Sequence, residues 1–181
     1  MIETERLILR PWQESEAAIL YRYASDPDVG PVAGWAPHAS VADSLEIIRT
    51  VFAAPEVYAV VLKDNGEPVG SCGIMVSDGL HSADMKQGEA EVGYWIGKPY
   101  WGQGLIPEAV EALLARCFNN LALDAVWCGY YEGNNKSKRV CEKCGFRFHH
   151  TNHGILSPLG DTRTEHFHKM TREDYVAMRG H

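Results

Sequence analysis

The sequence predicts an α/β protein: a mixed, mostly antiparallel sheet of six to seven strands with helices on both faces. Three observations predict it. Alternating apolar residues mark short strands, Asp64-Asn65-Gly66-Glu67 joins two of them in a hairpin, and the second half repeats a strand–helix rhythm. The antiparallel strands come early, so the sheet is not a doubly wound parallel one.

The elements follow in order. Residues 4–12 alternate through Leu7 and Leu9 and read as a strand. Residues 14–25 read as a helix that stops before Asp26-Pro27-Asp28, and 30–38 as a Gly/Pro loop. Residues 40–53 carry a helical stripe at Val41, Leu45, Ile48 and Phe52, with Ser40 as N-cap. Strands over 57–63 and 68–76 flank the hairpin turn, 77–87 is a polar loop, and 89–96 is a third long strand. A Gly-rich stretch, 97–104, leads into an amphipathic helix over 106–117 with Pro107 in its first turn. A strand over 125–130 precedes a helix over 134–144 that Gly145 stops. Strands over 146–150 and 164–169 close the sheet. Thr171 and Asp174 resemble a capping box for a last helix over 171–178.

The 181 residues suit one domain, 1–181, able to bury about 70% of the unfolded surface. Seventeen basic against 24 acidic residues leave a net charge of −7, which disfavours nucleic acid and weakly favours an amine partner. No apolar run reaches the roughly 18 residues of a membrane span, and the acidic N-terminus is unlike a signal peptide. The expectation is a cytoplasmic protein with its five cysteines reduced. Oligomeric state stays open, a homodimer being one outcome.

The chemistry concentrates in two segments. A strand, Glu91-Val92-Gly93-Tyr94-Trp95-Ile96, enters a loop and helix start, Trp101-Gly102-Gln103-Gly104-Leu105-Ile106. Helix N-termini offer unpaired N–H groups and partial positive charge, and glycines let a phosphate approach. The loop lacks the Gly-Lys-Ser/Thr ending of a nucleotide-triphosphate loop and the third glycine of a dinucleotide fingerprint. Alone it reads first as a tight turn. The second segment, Asn134-Asn135-Lys136-Ser137-Lys138-Arg139-Val140-Cys141-Glu142-Lys143-Cys144-Gly145-Phe146, alone reads as an Asn-capped surface helix.

Together the two segments resemble the Gcn5-related N-acetyltransferase (GNAT) superfamily, whose pattern is Gln/Arg-x-x-Gly-x-Gly/Ala followed by Asn-x-x-Ser and Gly-Phe. The opening Thr-Glu-Arg-Leu-Ile-Leu-Arg, Pro37-His38 and Glu-Val-Gly-Tyr-Trp-Ile are similar to the RimJ/RimL-like branch, named for ribosomal-protein N-terminal acetyltransferases. Trp101 departs from Gln/Arg, and Ile106 departs from Gly/Ala, where a β-branched side chain narrows the loop.

The resemblance implies the GNAT acyl-CoA N-acyltransferase fold, acetyl-CoA as co-substrate, no metal, and direct attack of an amine on the thioester. It implies a strand that splays from its neighbour after Glu91. Backbone of Tyr94, Trp95 and Ile96 then pairs with pantetheine, and the N–H groups of Gly102, Gln103, Gly104, Leu105 and Ile106, beside Trp101, take the pyrophosphate. Asn134 meets the pantetheine amides, and Lys136, Arg139 or Lys143 the adenosine phosphates. Glu91 is the first candidate base and Glu89 the next, since the two share one strand face; a water chain is the alternative. Ser137 donates to the sulfur as thiolate charge develops, with Tyr130 and Tyr131 as other donors. Trp35 and His38 flank the acceptor.

Neutralising a lysine amine at pH 7 costs about 4–5 kcal/mol, and an α-amine only about 1 kcal/mol. A modest base therefore favours an N-terminal or low-pKa small-molecule amine. Three rivals remain: a zinc site at Cys141, Cys144, His149 and His153, a cysteine nucleophile at Cys128 or Cys72, and a catalytically silent acyl-CoA-binding module.

Overall fold

Alternating burial sorts the strands onto two faces from the first residues onward. The computed structural model, which describes residues 1–76 and 84–180, begins with β1 (Ile2–Glu3), β2 (Leu7–Arg10) and helix α1 (Ala17–Ala24). Helix α2 (Val41–Arg49), the hairpin β3 (Val57–Leu62) and β4 (Pro68–Val76), and β5 (Glu89–Ile96) follow. The second half is α3 (Leu105–Ala115), β6 (Ala125–Tyr131), α4 (Asn135–Lys143), β7 (Arg147–Leu156), β8 (Thr162–Thr171) and α5 (Arg172–Arg179).

The strands form one mixed sheet in the order β1-β2-β3-β4-β5-β6-β8-β7, in which only β5 and β6 run parallel. Leu7, Leu9, Tyr58, Val60, Val92, Val126 and Cys128 turn to the face covered by α3, α4 and α5. Ile8, Ala59 and Val61 turn to the face covered by α1 and α2, with Leu20, Ala24 and Ile48. Helices thus cover both faces, as the sequence predicts. Each fully buried Leu or Val contributes roughly 1.5–3 kcal/mol.

The caps are those the sequence marks. Ser40 Oγ accepts the Asp43 N–H at 3.0 Å, and Thr171 and Asp174 form the reciprocal capping box of α5. Gly145, at φ 83°, ends α4 in a Schellman turn: Phe146 N–H reaches Cys141 O and Gly145 N–H reaches Glu142 O.

Three departures have local causes. Residues 4–12 do not form one strand, because Thr4 bonds Leu7 through both backbone and hydroxyl, and the turn frees Ile2–Glu3 to pair as an eighth, edge strand. Strands β7 and β8 are each ten residues long, well beyond 146–150 and 164–169. Edge strand β7 is largely solvent-facing, so it lacks the apolar alternation that reveals a strand. The polar loop expected over 77–87 lies mostly outside the described residues. Among the described residues, no helix is long and apolar enough to cross a membrane.

Candidate active site

Strands β5 and β6 pair only at Glu89↔Ala125, Ala90↔Val126 and Glu91↔Trp127, although both continue well past those residues. Beyond Glu91 they part. A cavity of about 890 Å³ opens in the gap and is lined by Glu91, Tyr94, Trp95 and Ile96 from one side and Gly129, Tyr131 and Ser137 from the other.

One end of the cavity meets the start of α3. Gly102 and Gly104 sit at φ 75° and 76°, a left-handed backbone that glycine adopts without strain. Arg6 holds the loop: Nη1 donates to Gln103 O at 2.9 Å, and Nε pairs with Glu108 at 2.7 Å. Trp101 Nε1 donates to Ile96 O at 3.0 Å, while Lys136 lies 4.0 Å over its ring and ties the loop to α4. Among the described residues, no acceptor takes the backbone N–H of Gly102, Gln103, Gly104, Leu105 or Ile106. These donors can hold an anion. Ile106 packs into the main core at 7% exposure and also borders the cavity. The Gln103 side chain turns away to Pro99 O and does not line the cavity.

The two candidate carboxylates part company. Glu91 lies over Gly129, where a Cβ would come within 3.3 Å of Glu91 Oε1. Burial, and then the nearby Glu165 carboxylate, push its pKa up to about 7. No hydrogen bond among the described residues reaches its oxygens. Glu89 is buried at 6% and accepts from Trp127 Nε1 at 2.8 Å, Lys169 Nζ at 2.9 Å and Lys86 N–H at 3.1 Å. Burial alone would raise its pKa, but these donors hold it below the usual carboxylate value. Glu89 is therefore a paired structural anion and does not line the cavity.

Ser137 lies in the first turn of α4, where its N–H reaches the Asn134 side chain at 3.2 Å and its Oγ lies 2.8 Å from Tyr94 OH. The Asn134 carbonyl oxygen is thus partly committed to capping. Arg139, Lys136 and Lys143 also border the cavity. Tyr130 and Tyr131 both line the gap, but Tyr130 OH is taken up by His168 Nε2 at 3.1 Å.

Trp35 lines the far end, its ring centroid 5.5 Å from that of Trp95. His38 does not line it. That ring sits behind Trp35, with Nδ1 2.7 Å from Ser44 Oγ, because residues 35–38 fold back onto α2. Sequence reasoning missed Glu165, which enters the same cavity from β8. Its neighbours depend on the register Tyr131↔Glu165, which spacing does not reveal. Burial holds the Cys72 thiol up to about 12, so it is a poor nucleophile at neutral pH. Cys141 and Cys144 are fully buried, whereas His149 and His153 are exposed on β7.

A splayed parallel pair beside a glycine-rich helix start is a recognisable frame, and comparison with known proteins bears on it. The acetyltransferase (GNAT) domain pattern matches residues 6–147. The chain belongs to the GNAT acetyltransferase family. This GNAT N-acetyltransferase is 28% identical over 149 residues to the uncharacterised N-acetyltransferase p20 of Bacillus licheniformis, covering 80% of each chain. It is 41% identical over 75 residues to YdaF of Bacillus subtilis (strain 168), named as a candidate ribosomal N-acetyltransferase, covering 41% of this chain and 39% of YdaF. Among solved structures, a GNAT-family acetyltransferase from Bacillus anthracis superposes with a TM-score of 0.83 at 22% identity, covering 95% of this chain and 98% of that one. AAC(6')-Ib in complex with ribostamycin and coenzyme A superposes with a TM-score of 0.74 at 23% identity, covering 97% and 99%. The latter two establish the shared GNAT fold.

Proposed function

We propose that this GNAT enzyme transfers an acetyl group from acetyl-CoA to a primary amine by direct attack, and that it belongs to the RimJ/RimL-like branch. The observation that carries the proposal is the Glu91 carboxylate in the splayed cavity, with Ser137 on the facing helix and the free N–H groups at the start of α3. The loop from Gly102 to Ile106 holds the pyrophosphate, and the exposed edge of β5 at Tyr94, Trp95 and Ile96 pairs with pantetheine. Asn134 and Arg139 border the same path. Glu91 takes the amine proton, the nitrogen attacks the acetyl carbon, the C–S bond breaks, and Ser137 donates towards the departing sulfur.

The base strength supports the acceptor class. A carboxylate with a pKa of about 7 lies within about one unit of an α-amine at 7.7–8.0 and more than three below a lysine. The acceptor is therefore a protein N-terminus or a low-pKa small-molecule amine, entering past Trp35. The names of YdaF and of AAC(6')-Ib with ribostamycin support these two kinds of acceptor in turn. We take residues 1–181 as one catalytic domain without a metal, working in the cytoplasm.

Thiol release from acetyl-CoA, measured against peptides with free or blocked N-termini and against small amines, tests the reading. Turnover with a free α-amine or small amine is expected. Turnover with lysine side chains alone overturns the acceptor class, and tight CoA binding with no turnover on any amine favours a binding module.

A further inference from the structure

Four polar groups from β5, β6 and α4 meet at the inner wall of the cavity. Tyr94 OH lies 2.8 Å from Ser137 Oγ, 3.3 Å from Ser137 O and 3.4 Å from Cys128 Sγ. Cys141 Sγ donates to Cys128 Sγ at 2.8 Å. Tyr94 and Ser137 border the cavity, whereas both cysteines are fully buried.

We propose that Tyr94 is a positioning residue, whose hydroxyl donates to Ser137 Oγ and so directs the serine's own proton into the cavity. This rests on the reading of Ser137 as the donor to the leaving sulfur. The direction follows from counting protons. A hydroxyl has one proton and two lone pairs, and a thiol is a weak partner of either kind. Cys141 places its proton on Cys128, and the Cys128 proton then faces the Tyr94 oxygen. The Tyr94 proton has two oxygen acceptors within reach, Ser137 Oγ at 2.8 Å and Ser137 O at 3.3 Å, and goes to the nearer. With that lone pair filled, the Ser137 proton has the cavity before it. The opposite sense would have Ser137 donate to Tyr94 and leave the Tyr94 proton to Ser137 O at 3.3 Å or to sulfur, a longer contact or a poorer one. Burial holds the Tyr94 phenol well above its ordinary pKa, and the Cys141 contact, followed by burial, does the same for the Cys128 thiol, so both remain donors at neutral pH. Bonds in such a chain polarise one another, which strengthens the last donor towards a developing thiolate.

Tyr94→Phe keeps the ring and removes only the hydroxyl. The expected result is a kcat about tenfold lower, with KM for acetyl-CoA within about twofold of wild type. The pKa of the bound CoA thiol, read from thiolate ultraviolet absorbance, rises in Tyr94→Phe and in Ser137→Ala. In the Ser137→Ala background, Tyr94→Phe costs nothing further, whereas a merely structural role gives additive losses. Wild-type values for kcat and thiol pKa in Tyr94→Phe, or additive losses in the double variant, overturn the proposal. If Ser137→Ala itself changes neither quantity, the serine assignment fails and the proposal falls with it. If CoA binds but no amine is turned over, the thiol titration alone decides. Should Tyr94→Phe not fold, Cys128→Ala removes the group that orients the phenol, and a kcat and thiol pKa at wild-type values count against the chain of donors.

Discussion

Glu91, the proposed base, carries a stability cost. Its folded pKa of about 7 exceeds the ordinary carboxylate value, so the native state favours the neutral acid. That preference supports folding fully below the ordinary value and is lost as pH rises through about 7. At pH 8 the charge is buried at full cost, so Glu91→Gln is expected to stabilise the fold by on the order of 2–3 kcal/mol. The same change should lower kcat/KM by about 10²–10³-fold. Chemical denaturation and initial rates on one preparation check both, and a variant that is destabilised at pH 8 contradicts the buried-charge account. In the wild type, kcat/KM should rise with pH through a limb near 7, and Glu165→Gln should move that limb to lower pH by removing the like charge. Glu89 behaves oppositely. Its depressed pKa adds stability above the ordinary carboxylate value, lost as pH falls through the folded one. Glu89→Gln should cost on the order of 2–3 kcal/mol at pH 7, a difference that shrinks in acid, while the pH limb of activity stays in place.

Among the elements, the loop into α3 was the most legible. Two glycines before an apolar helical stripe marked a turn and a helix start, and both glycines do occupy left-handed backbone. Gly102 has no protein atom within 4 Å of where a Cβ would stand, so Gly102→Ala meets no steric clash and bears only the backbone cost of about 1–2 kcal/mol. If that open space receives the pyrophosphate, calorimetry should show CoA affinity falling by at least tenfold, beyond what the modest drop in melting temperature explains. Unchanged affinity would separate the loop from the phosphate. Helix α4 was legible for the same kind of reason, because Asn134 and Gly145 act within one turn of their own backbone. Edge strand β7 was less legible, since exposed polar residues carry no periodic signal.

Across the whole molecule, the site depends on three strands converging at Gly129. A Cβ there would meet the Phe167 ring at 2.8 Å and Glu91 Oε1 at 3.3 Å. Gly129→Ala should therefore cost about 1–3 kcal/mol in stability and displace the proposed base, lowering kcat/KM together with the melting temperature. Full activity in that variant would place the reacting amine elsewhere. By itself the sequence determined which residues bend, cap and alternate, and hence the strands, the helix ends and the glycine loop, because those depend on backbone preferences and side chains a few positions apart. It also placed Glu91, Ser137 and Trp35 on segments that reach one cavity. The tertiary structure alone decided that Glu89 is neutralised by Lys169, that His38 is held by Ser44, that Glu165 joins the site, and that the Tyr94 hydroxyl meets Ser137 Oγ. Those outcomes turn on strand register and on contacts between residues far apart in the chain, where a shift of one position sends a side chain to the opposite face of the sheet.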